Sequence, residues 1–228
     1  MPTSKKHRGL VAVAVILIVV FLAVSQVQST IAGRGQFSGS TDTFRYSGQD
    51  DNGGIYMVVS VDTSDPTALK KYVEANRQRG QALVSQNKGE VVPVQITFAR
   101  PMLVSDVKTL VERTGFQVTS FSLVGYSTLS RKRGTHVQFD SLQSDIPERE
   151  IVDPKTGDEL VFTGIMVLQG EVKANADGLG QWLANDEVYL VDTSKLEALS
   201  IAASRHATET ANKPIDISLP TPFWNLDW

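Results

Sequence analysis

Apolar residues form one uninterrupted run near the start of the chain, at 10–24. Three basic residues precede this run: Lys5, Lys6 and Arg8. Cations beside an apolar run keep that end of the chain in the cytoplasm. Extended through Val27, the run has 18 residues and would be about 27 Å long as a helix, close to the thickness of a bilayer core. The pattern predicts a short cytoplasmic N-terminus at 1–8 and a transmembrane signal-anchor at 9–27.

The same run also suits a cleavable signal peptide, whose apolar core is typically about 7–15 residues long. Small residues at Ala23 and Ser25, and again at Thr30 and Ala32, loosely match the pattern before a cleavage site. An anchor predicts a single-pass protein of the cell membrane with an extracytoplasmic C-terminus, whereas cleavage predicts a secreted protein. In both cases the rest of the chain is exported.

Residues 28–54 are dominated by Ser, Thr, Gly, Gln and Asp. The aromatic residues of this segment are Phe37, Phe44 and Tyr46. This composition is typical of a flexible linker. We therefore expect a flexible stalk at 28–54 that holds a folded domain off the membrane, with its aromatic side chains in light contact with that domain.

The alternation of apolar residues at Ile55, Met57 and Val59 is the period-two pattern of a strand. Asp65 then precedes Pro66, which combines an N-cap acceptor with the proline that favours a first helical turn. Apolar residues recur at steps of three and four after this pair. A strand and a helix at about 66–86 are predicted, and order is expected to begin with the strand.

Two strand-helix-strand units follow. The first covers 91–126, with a helix that ends at Gly115, and the second covers 160–191, with two helical turns at 178–185. This order predicts an α+β fold with a ferredoxin-like (split βαβ) two-layer sandwich. The strand and helix at 55–86 would be an extra unit added to it.

Between the two units we expect a hairpin insertion at about 127–160 that projects as an arm. Its turns are predicted at 131–134 and 153–157, where charged residues are followed by Gly or by Pro and Gly. The extracytoplasmic domain is predicted to cover 55–207 and to end in a helix. An extended tail rich in Pro and Trp follows at 208–228.

Composition excludes several classes of protein. The chain has 22 Lys and Arg against 25 Asp and Glu, so the part after the three N-terminal cations has 19 against 25, a net charge of −6. This charge disfavours nucleic acid as a partner. The chain has no Cys, hence no disulfide or thiolate metal site. It also has no Asn-x-Ser/Thr acceptor, which favours a bacterial cell envelope over a eukaryotic surface.

Residues that could support catalysis are few. His136 and His206 lack a second ligand or an acid partner at a useful spacing, and a solvated surface role explains each of them more simply. No catalytic residue, metal site or cofactor is therefore predicted. The alternative is an envelope hydrolase with an Asp/Glu-based site, for which Glu171 and Asp192, expected on neighbouring strands, are the candidates.

Two groups of residues are predicted to bind a ligand or a partner. The first is basic and lies at a predicted hairpin tip: Arg131, Lys132, Arg133 and His136. The second is aromatic and lies in the tail: Phe223, Trp224 and Trp228. The simpler role of the basic group is to solvate an exposed turn. The aromatic tail either packs on its own domain or inserts into another protein, because large aromatic side chains dominate interfaces.

Together these patterns predict a membrane-tethered extracytoplasmic module that binds or assembles with a partner and does not catalyse a reaction. The expected contacts are the membrane, through the N-terminal helix, and an envelope protein or an acidic envelope polymer. A third reading is the input domain of a membrane sensor. It would have to signal through a partner, because residues 1–8 leave no room for a cytoplasmic output domain.

Overall fold

The computed structural model describes residues 35–50, 54–86, 89–139, 142, 148–206, 214–222 and 226. The predicted anchor or signal segment at 9–27 lies outside these residues. Within them, no helix has both the length and the apolar character needed to cross a membrane. The described residues form an α+β fold with four helices and ten strands, which confirms the predicted class.

The elements follow one another closely along the chain. The strands are β1 (Gly35–Ser40), β2 (Arg45–Asp50), β3 (Ile55–Ser60), β4 (Val91–Met102), β5 (Gln117–Ser127), β6 (Arg133–Phe139), β7 (Arg149–Asp153), β8 (Asp158–Lys173), β9 (Val188–Asp192) and β10 (Ile215–Ser218). The helices are α1 (Pro66–Gln86), α2 (Val104–Thr114), α3 (Leu179–Leu183) and α4 (Ser194–His206). The helix bounds agree with the sequence patterns to within a few residues, since these helices begin and end at recognisable signals.

Six strands form a large sheet. Five of them follow the order β6-β5-β8-β4-β9, and β7 pairs with β8 beyond the end of β4. Every neighbouring pair in this sheet is antiparallel. The segments β4-α2-β5 and β8-α3-β9 are the two units that the sequence predicted, and their first strands lie side by side in the middle of the sheet.

One face of the large sheet packs against α2 and α3. Alternate residues of β4, among them Ile96 and Phe98, point to this face and are fully buried. Val107 of α2 and Trp182 of α3 join them, and the rings of Phe98 and Trp182 lie 6.3 Å apart between centroids. Helix α2 ends at Gly115, whose φ of 64° is the left-handed conformation that glycine adopts without strain.

Four further strands form a small sheet in the order β1-β2-β3-β10. The pairs β1-β2 and β2-β3 are antiparallel, whereas β10 runs parallel to β3. Strand β10 comes from the predicted tail, and its Ile217 is buried. Part of the tail is therefore a structural strand of the domain.

The predicted stalk at 28–54 is wrong over 35–50, because these residues form the hairpin β1-β2. Phe44 and Tyr46 are buried in the core and not lightly docked on its surface. Thr41 closes the turn, since its Oγ1 accepts a hydrogen bond from the Phe44 amide at 3.2 Å. Phe37 of β1 lies opposite Gly48, and Tyr46 of β2 lies opposite Gly39, so each strand buries one aromatic side chain against glycine despite its linker-like composition.

A second core lies between the small sheet and α4. Met57 and Val59 of β3 meet Ala198, Ile201 and other residues of this cluster, all of them buried. Helix α4 also contacts β4, so it lies between the small sheet and the face of the large sheet opposite α2 and α3. The strand and helix at 55–86, predicted as an added unit, therefore help to build a core of their own.

Both predicted hairpins of the insertion at 127–160 are part of the large sheet. Strand β6 pairs with β5 from Ser120 to Tyr126, and β7 pairs with β8 at 158–161. The turn between β5 and β6 covers 128–132, next to its predicted position. We call the turn at 127–132, strand β7 and residues 158–161 the distal end of the large sheet.

Candidate functional site

The structure divides the four basic residues that the sequence grouped together. Arg131 and Lys132 are exposed at the distal end. Arg133 is half-buried, and its Nη1 donates a hydrogen bond to the main-chain carbonyl of Leu226 at 3.1 Å. The fourth, His136, places Nδ1 2.8 Å from a carboxylate oxygen of Glu150. Two of the four therefore contact the protein's own chain, and two remain directed to solvent.

The turn that carries these residues is organised by one carboxylate. Ser127 Oγ donates to Asp158 and lies 2.6 Å from its Oδ2, and the Leu129 amide donates to Oδ1 at 3.0 Å. These hydrogen bonds, led by the one from Ser127, lower the pKa of Asp158. Arg131 has a φ of 57°, an unusual value for a residue with a side chain. The turn is thus held in one defined shape.

Phe223, Trp224 and Trp228 lie outside the described residues. Pro220 and Leu226, which lie before and after Phe223 and Trp224, are described, and both contact the large sheet. The carbonyl of Pro220 accepts a hydrogen bond from Gln95 Nε2 at 2.8 Å. Leu226 packs against a cluster that is almost completely buried: Val124, Met166 and Val167. At these two points the tail lies on the face of the large sheet opposite α2 and α3.

Exposed apolar residues gather at the distal end, a feature that the sequence interpretation missed. Leu129 and Ile151 are each 61% exposed, and Val152 is 50% exposed. The Thr128 amide bonds to the Glu159 carbonyl, and Ile151 pairs with Glu159 from the other side of β8, so Leu129 and β7 lie at the same end of the sheet. Ile151 and Val152 are consecutive in β7, so their side chains point to opposite faces of the sheet. The two adjacent apolar residues in a predicted hairpin were the signal that could have revealed this surface.

Glu171 and Asp192 do not form a catalytic pair. Strand β4 lies between their strands, since Pro93 is opposite Glu171 and Gln95 is opposite Asp192. The expectation that they lie on neighbouring strands is therefore wrong. Glu171 is exposed, whereas Asp192 is fully buried. Two carboxylates in these positions cannot face one cleft.

Asp192 instead joins two helices to β9. Its Oδ2 accepts a hydrogen bond from the Tyr72 hydroxyl at 2.6 Å, and its Oδ1 accepts from the Ser194 amide at 2.9 Å. Burial raises the pKa of Asp192, and the hydrogen bonds from Ser194 and Tyr72 oppose this shift. Asn76 extends the cluster, since its Oδ1 accepts from the Thr193 amide at 2.9 Å. These residues form a buried hydrogen-bond network that connects α1 and α4 to β9.

An open concavity of about 560 Å³ lies on the outer side of the small sheet, over β1, β2 and β3. The side chains on this outer side form two rows across the strands. The first row is Gln36, Gln49, Tyr56 and Asp216, and the second is Ser38, Ser47, Val58 and Ser218. All of them are exposed except Val58, which is half-buried. We call these two rows the outer face.

Among the described residues, no three His, Asp or Glu side chains are grouped so that they could hold a metal ion. No family model matches the chain, and comparisons with curated proteins and with solved structures gave no match either. The candidate surfaces are therefore defined by their own geometry: the distal end, the outer face, and the strip where the tail lies on the large sheet.

Proposed function

We propose that this protein is a membrane-tethered extracytoplasmic module of a bacterial cell envelope that binds or assembles with a partner and does not itself catalyse a reaction. The apolar run at 10–24 with its preceding cations supports tethering. Since β1 begins at Gly35, only residues 28–34 separate the proposed anchor from the folded domain. The domain would then lie close to the membrane surface, at most about 25 Å away along the chain.

We also infer that the units β4-α2-β5 and β8-α3-β9 form a ferredoxin-like sandwich. The order β5-β8-β4-β9 supports this, because the first strands of the two units pair at the centre and the second strands lie outside them. The packing of α2 and α3 on one face supports it as well. The function is argued from surfaces, because a fold of this kind serves many activities.

The observation that carries the proposal is the exposed apolar surface at the distal end. Leu129, Ile151 and Val152 each expose an apolar side chain at this end, and Ile151 and Val152 do so on the two faces of β7. Strand β7 pairs with β8 and, within the described residues, with no other strand. A free edge with apolar side chains is the arrangement that accepts an added strand from a partner.

The charges at this end indicate which partner would fit. Arg131 and Lys132 are exposed in the same turn as Leu129. By contrast, the acidic residues of the distal end each have a partner: Asp158 with Ser127, Glu159 with Arg149 at 3.0 Å, Glu150 with His136, and Asp153 with the Lys155 amide. The proposed partner is therefore an extended, acidic segment of another envelope protein that adds to β7 and covers its exposed apolar side chains.

A photo-crosslinking amino acid at position 151 tests this proposal. In cells that make the protein naturally, we expect an adduct with one partner protein, and we expect Ile151→Ser with Val152→Ser to abolish co-purification of that partner. Both residues are already exposed, so the melting temperature should change little. Charge reversal by Arg131→Glu and Lys132→Glu should weaken the same adduct.

Val91 supplies the matched control. It is 51% exposed and lies opposite Lys173, at the other end of β8 from the distal end. The crosslinker at position 91 should give no adduct with that partner, and Val91→Ser should leave co-purification intact. Equal adducts at 91 and 151, or none at 151, would contradict the proposal.

Tethering has its own test, the mass of the native protein in the membrane fraction. An intact N-terminus is expected. A species that begins at Gln26 or Gly33 would mean that a signal peptide is removed and the protein is released. This result would contradict tethering without affecting the binding proposal.

A further inference from the structure

The outer face presents side chains that the rest of the protein does not use. The side chains of Ser38, Ser47, Gln36, Gln49 and Tyr56 make no hydrogen bond with any other described residue. On the large sheet, by contrast, the side chains of Ser120, Gln169 and Gln95 are joined by hydrogen bonds. The outer face is thus a set of free hydrogen-bonding groups on a rigid support.

The geometry of the small sheet explains why these groups face outward. Alternate residues of its strands, such as Phe37, Tyr46 and Met57, fill the second core on the inner side. The residues between them must therefore point away from that core. The inner side is occupied by α4, so the outer side is not closed by the described part of the chain.

The first row has the size of an oligosaccharide site. Gln36, Gln49, Tyr56 and Asp216 are Cα partners on four successive strands. With strands about 4.8 Å apart, this row is about 14 Å long, and the concavity of about 560 Å³ lies over β1, β2 and β3. Pockets for small molecules have volumes in the same range.

The chemistry of the face also selects a class of ligand. Amides and hydroxyls both donate and accept hydrogen bonds, as sugar hydroxyls do. Tyr56 is 49% exposed, and an exposed aromatic ring can stack on the C–H face of a sugar. Asp216 is the charged residue of the outer face, and Arg45 lies one row further along the same side of the sheet. The outer face and Arg45 together carry no net charge.

Other ligands fit this surface less well. A nucleic acid needs several cations to contact its phosphates, whereas the outer face has none and Arg45 is the one cation beside it among the described residues of these strands. An apolar protein segment needs a larger apolar area than Tyr56 and Val58 supply. A neutral, polyhydroxylated chain satisfies both the free amides and the single ring.

We infer that the outer face of the small sheet binds a neutral glycan, with Tyr56 stacked on one sugar ring and Gln36, Gln49 and Asp216 hydrogen-bonded to hydroxyls along the row. This site is separate from the distal end. It does not depend on the proposed protein partner.

The test is calorimetric titration of the full-length chain with three neutral hexasaccharides: a chitin, a cellulose and a starch fragment. A detergent without a sugar headgroup, such as an amine oxide, keeps the site free. At least one fragment should bind. Tyr56→Ala and Gln49→Ala should each weaken that binding about five- to tenfold, with an unchanged melting temperature because both side chains are exposed.

Val91→Ser, a substitution at an exposed apolar residue on the large sheet, is the control and should bind like the unmodified chain. The inference is overturned if none of the three glycans binds at millimolar concentration, or if neither Tyr56→Ala nor Gln49→Ala weakens binding. It is also overturned if Tyr56→Ala instead abolishes self-association in sedimentation experiments, since a second copy would then occupy the face. Substitutions at Ile151 and Val152 should not change glycan binding, so failure of the partner proposal would be recognised separately.

Discussion

Arg133 and Leu226 are 93 residues apart in sequence, and the Arg133 side chain donates a hydrogen bond to the Leu226 carbonyl at 3.1 Å. This contact joins the start of β6 to the last segment of the tail. A residue that the sequence placed in a ligand-binding group therefore holds the protein's own chain. The contact also gives the tail a structural role that can be measured.

Removal of residues 219–228 should destabilise the domain by about 3 kcal/mol or more. The deletion removes Leu219, which is buried, and exposes the cluster on which Leu226 packs. It also leaves Gln95 Nε2 without the Pro220 carbonyl. Thermal unfolding should show a melting temperature lower by about 6–12 °C. An unchanged melting temperature would mean that the tail serves an external partner instead.

Substitutions of Arg133 and Arg131 should have different effects on the free energy of unfolding. Arg133→Met should lower the free energy of unfolding by about 1–2 kcal/mol, because it removes the bond to Leu226. Arg131→Gly should leave stability unchanged or raise it by up to about 1 kcal/mol, since the φ of 57° suits glycine. Urea denaturation of the two variants checks this. Equal effects would argue against the division of the basic group described above.

Asp192→Asn should make the protein more stable at neutral pH. Burial raises the folded-state pKa of Asp192. The contribution of Asp192 to the free energy of unfolding is therefore fully present below its ordinary pKa of about 3.9, and it is lost as pH rises through the folded-state pKa. An amide avoids this loss and can still accept from Ser194 and donate to the Tyr72 hydroxyl. Urea denaturation from pH 4 to 8 should show an advantage for the variant that grows with pH.

Asp186 is exposed and serves as the control for that comparison. Asp186→Asn should leave the free energy of unfolding at pH 7 unchanged, because the side chain is exposed. If Asp192→Asn is instead less stable than the wild type at pH 7, then the charged carboxylate contributes favourably and the assigned direction of its pKa is wrong.

Tyr72→Phe should destabilise the fold by about 1–3 kcal/mol. Its hydroxyl donates to Asp192 at 2.6 Å and lies 2.7 Å from Ser194 Oγ, all within the buried cluster. The change would leave a buried carboxylate oxygen without its donor. Tyr56→Phe is the matched control because that ring is exposed, and it should have no measurable effect on chemical denaturation.

Local patterns predicted most of the large sheet. Alternation located β4, β-prone residues located β8, and Gly115 located the end of α2, because these signals act within a few residues. The same reasoning failed for the hairpin β1-β2. There the weight given to Ser and Gly outweighed the presence of Phe37, Phe44 and Tyr46, which are all buried. Composition describes an average, whereas burial follows the position of each residue.

The candidate surfaces were less accessible to sequence reasoning. Arg131 and Arg133 are two positions apart and look equivalent in the chain, yet one is exposed and the other contacts Leu226. The outer face was not predicted at all. Its first row combines residues from β1, β2, β3 and β10, and no local pattern links residues that are so far apart.

The sequence by itself determined the class of fold, the positions of its helices and longer strands, and the expectation of export from the run at 10–24. These features follow from periodicity and from short-range steric and capping preferences. Only the tertiary structure decided which strands pair, such as β10 with β3. It also decided that Asp192 is a buried joint and that Tyr56 stays exposed. Pairing and burial depend on contacts between distant segments, whose free energy is fixed only when the whole chain packs together.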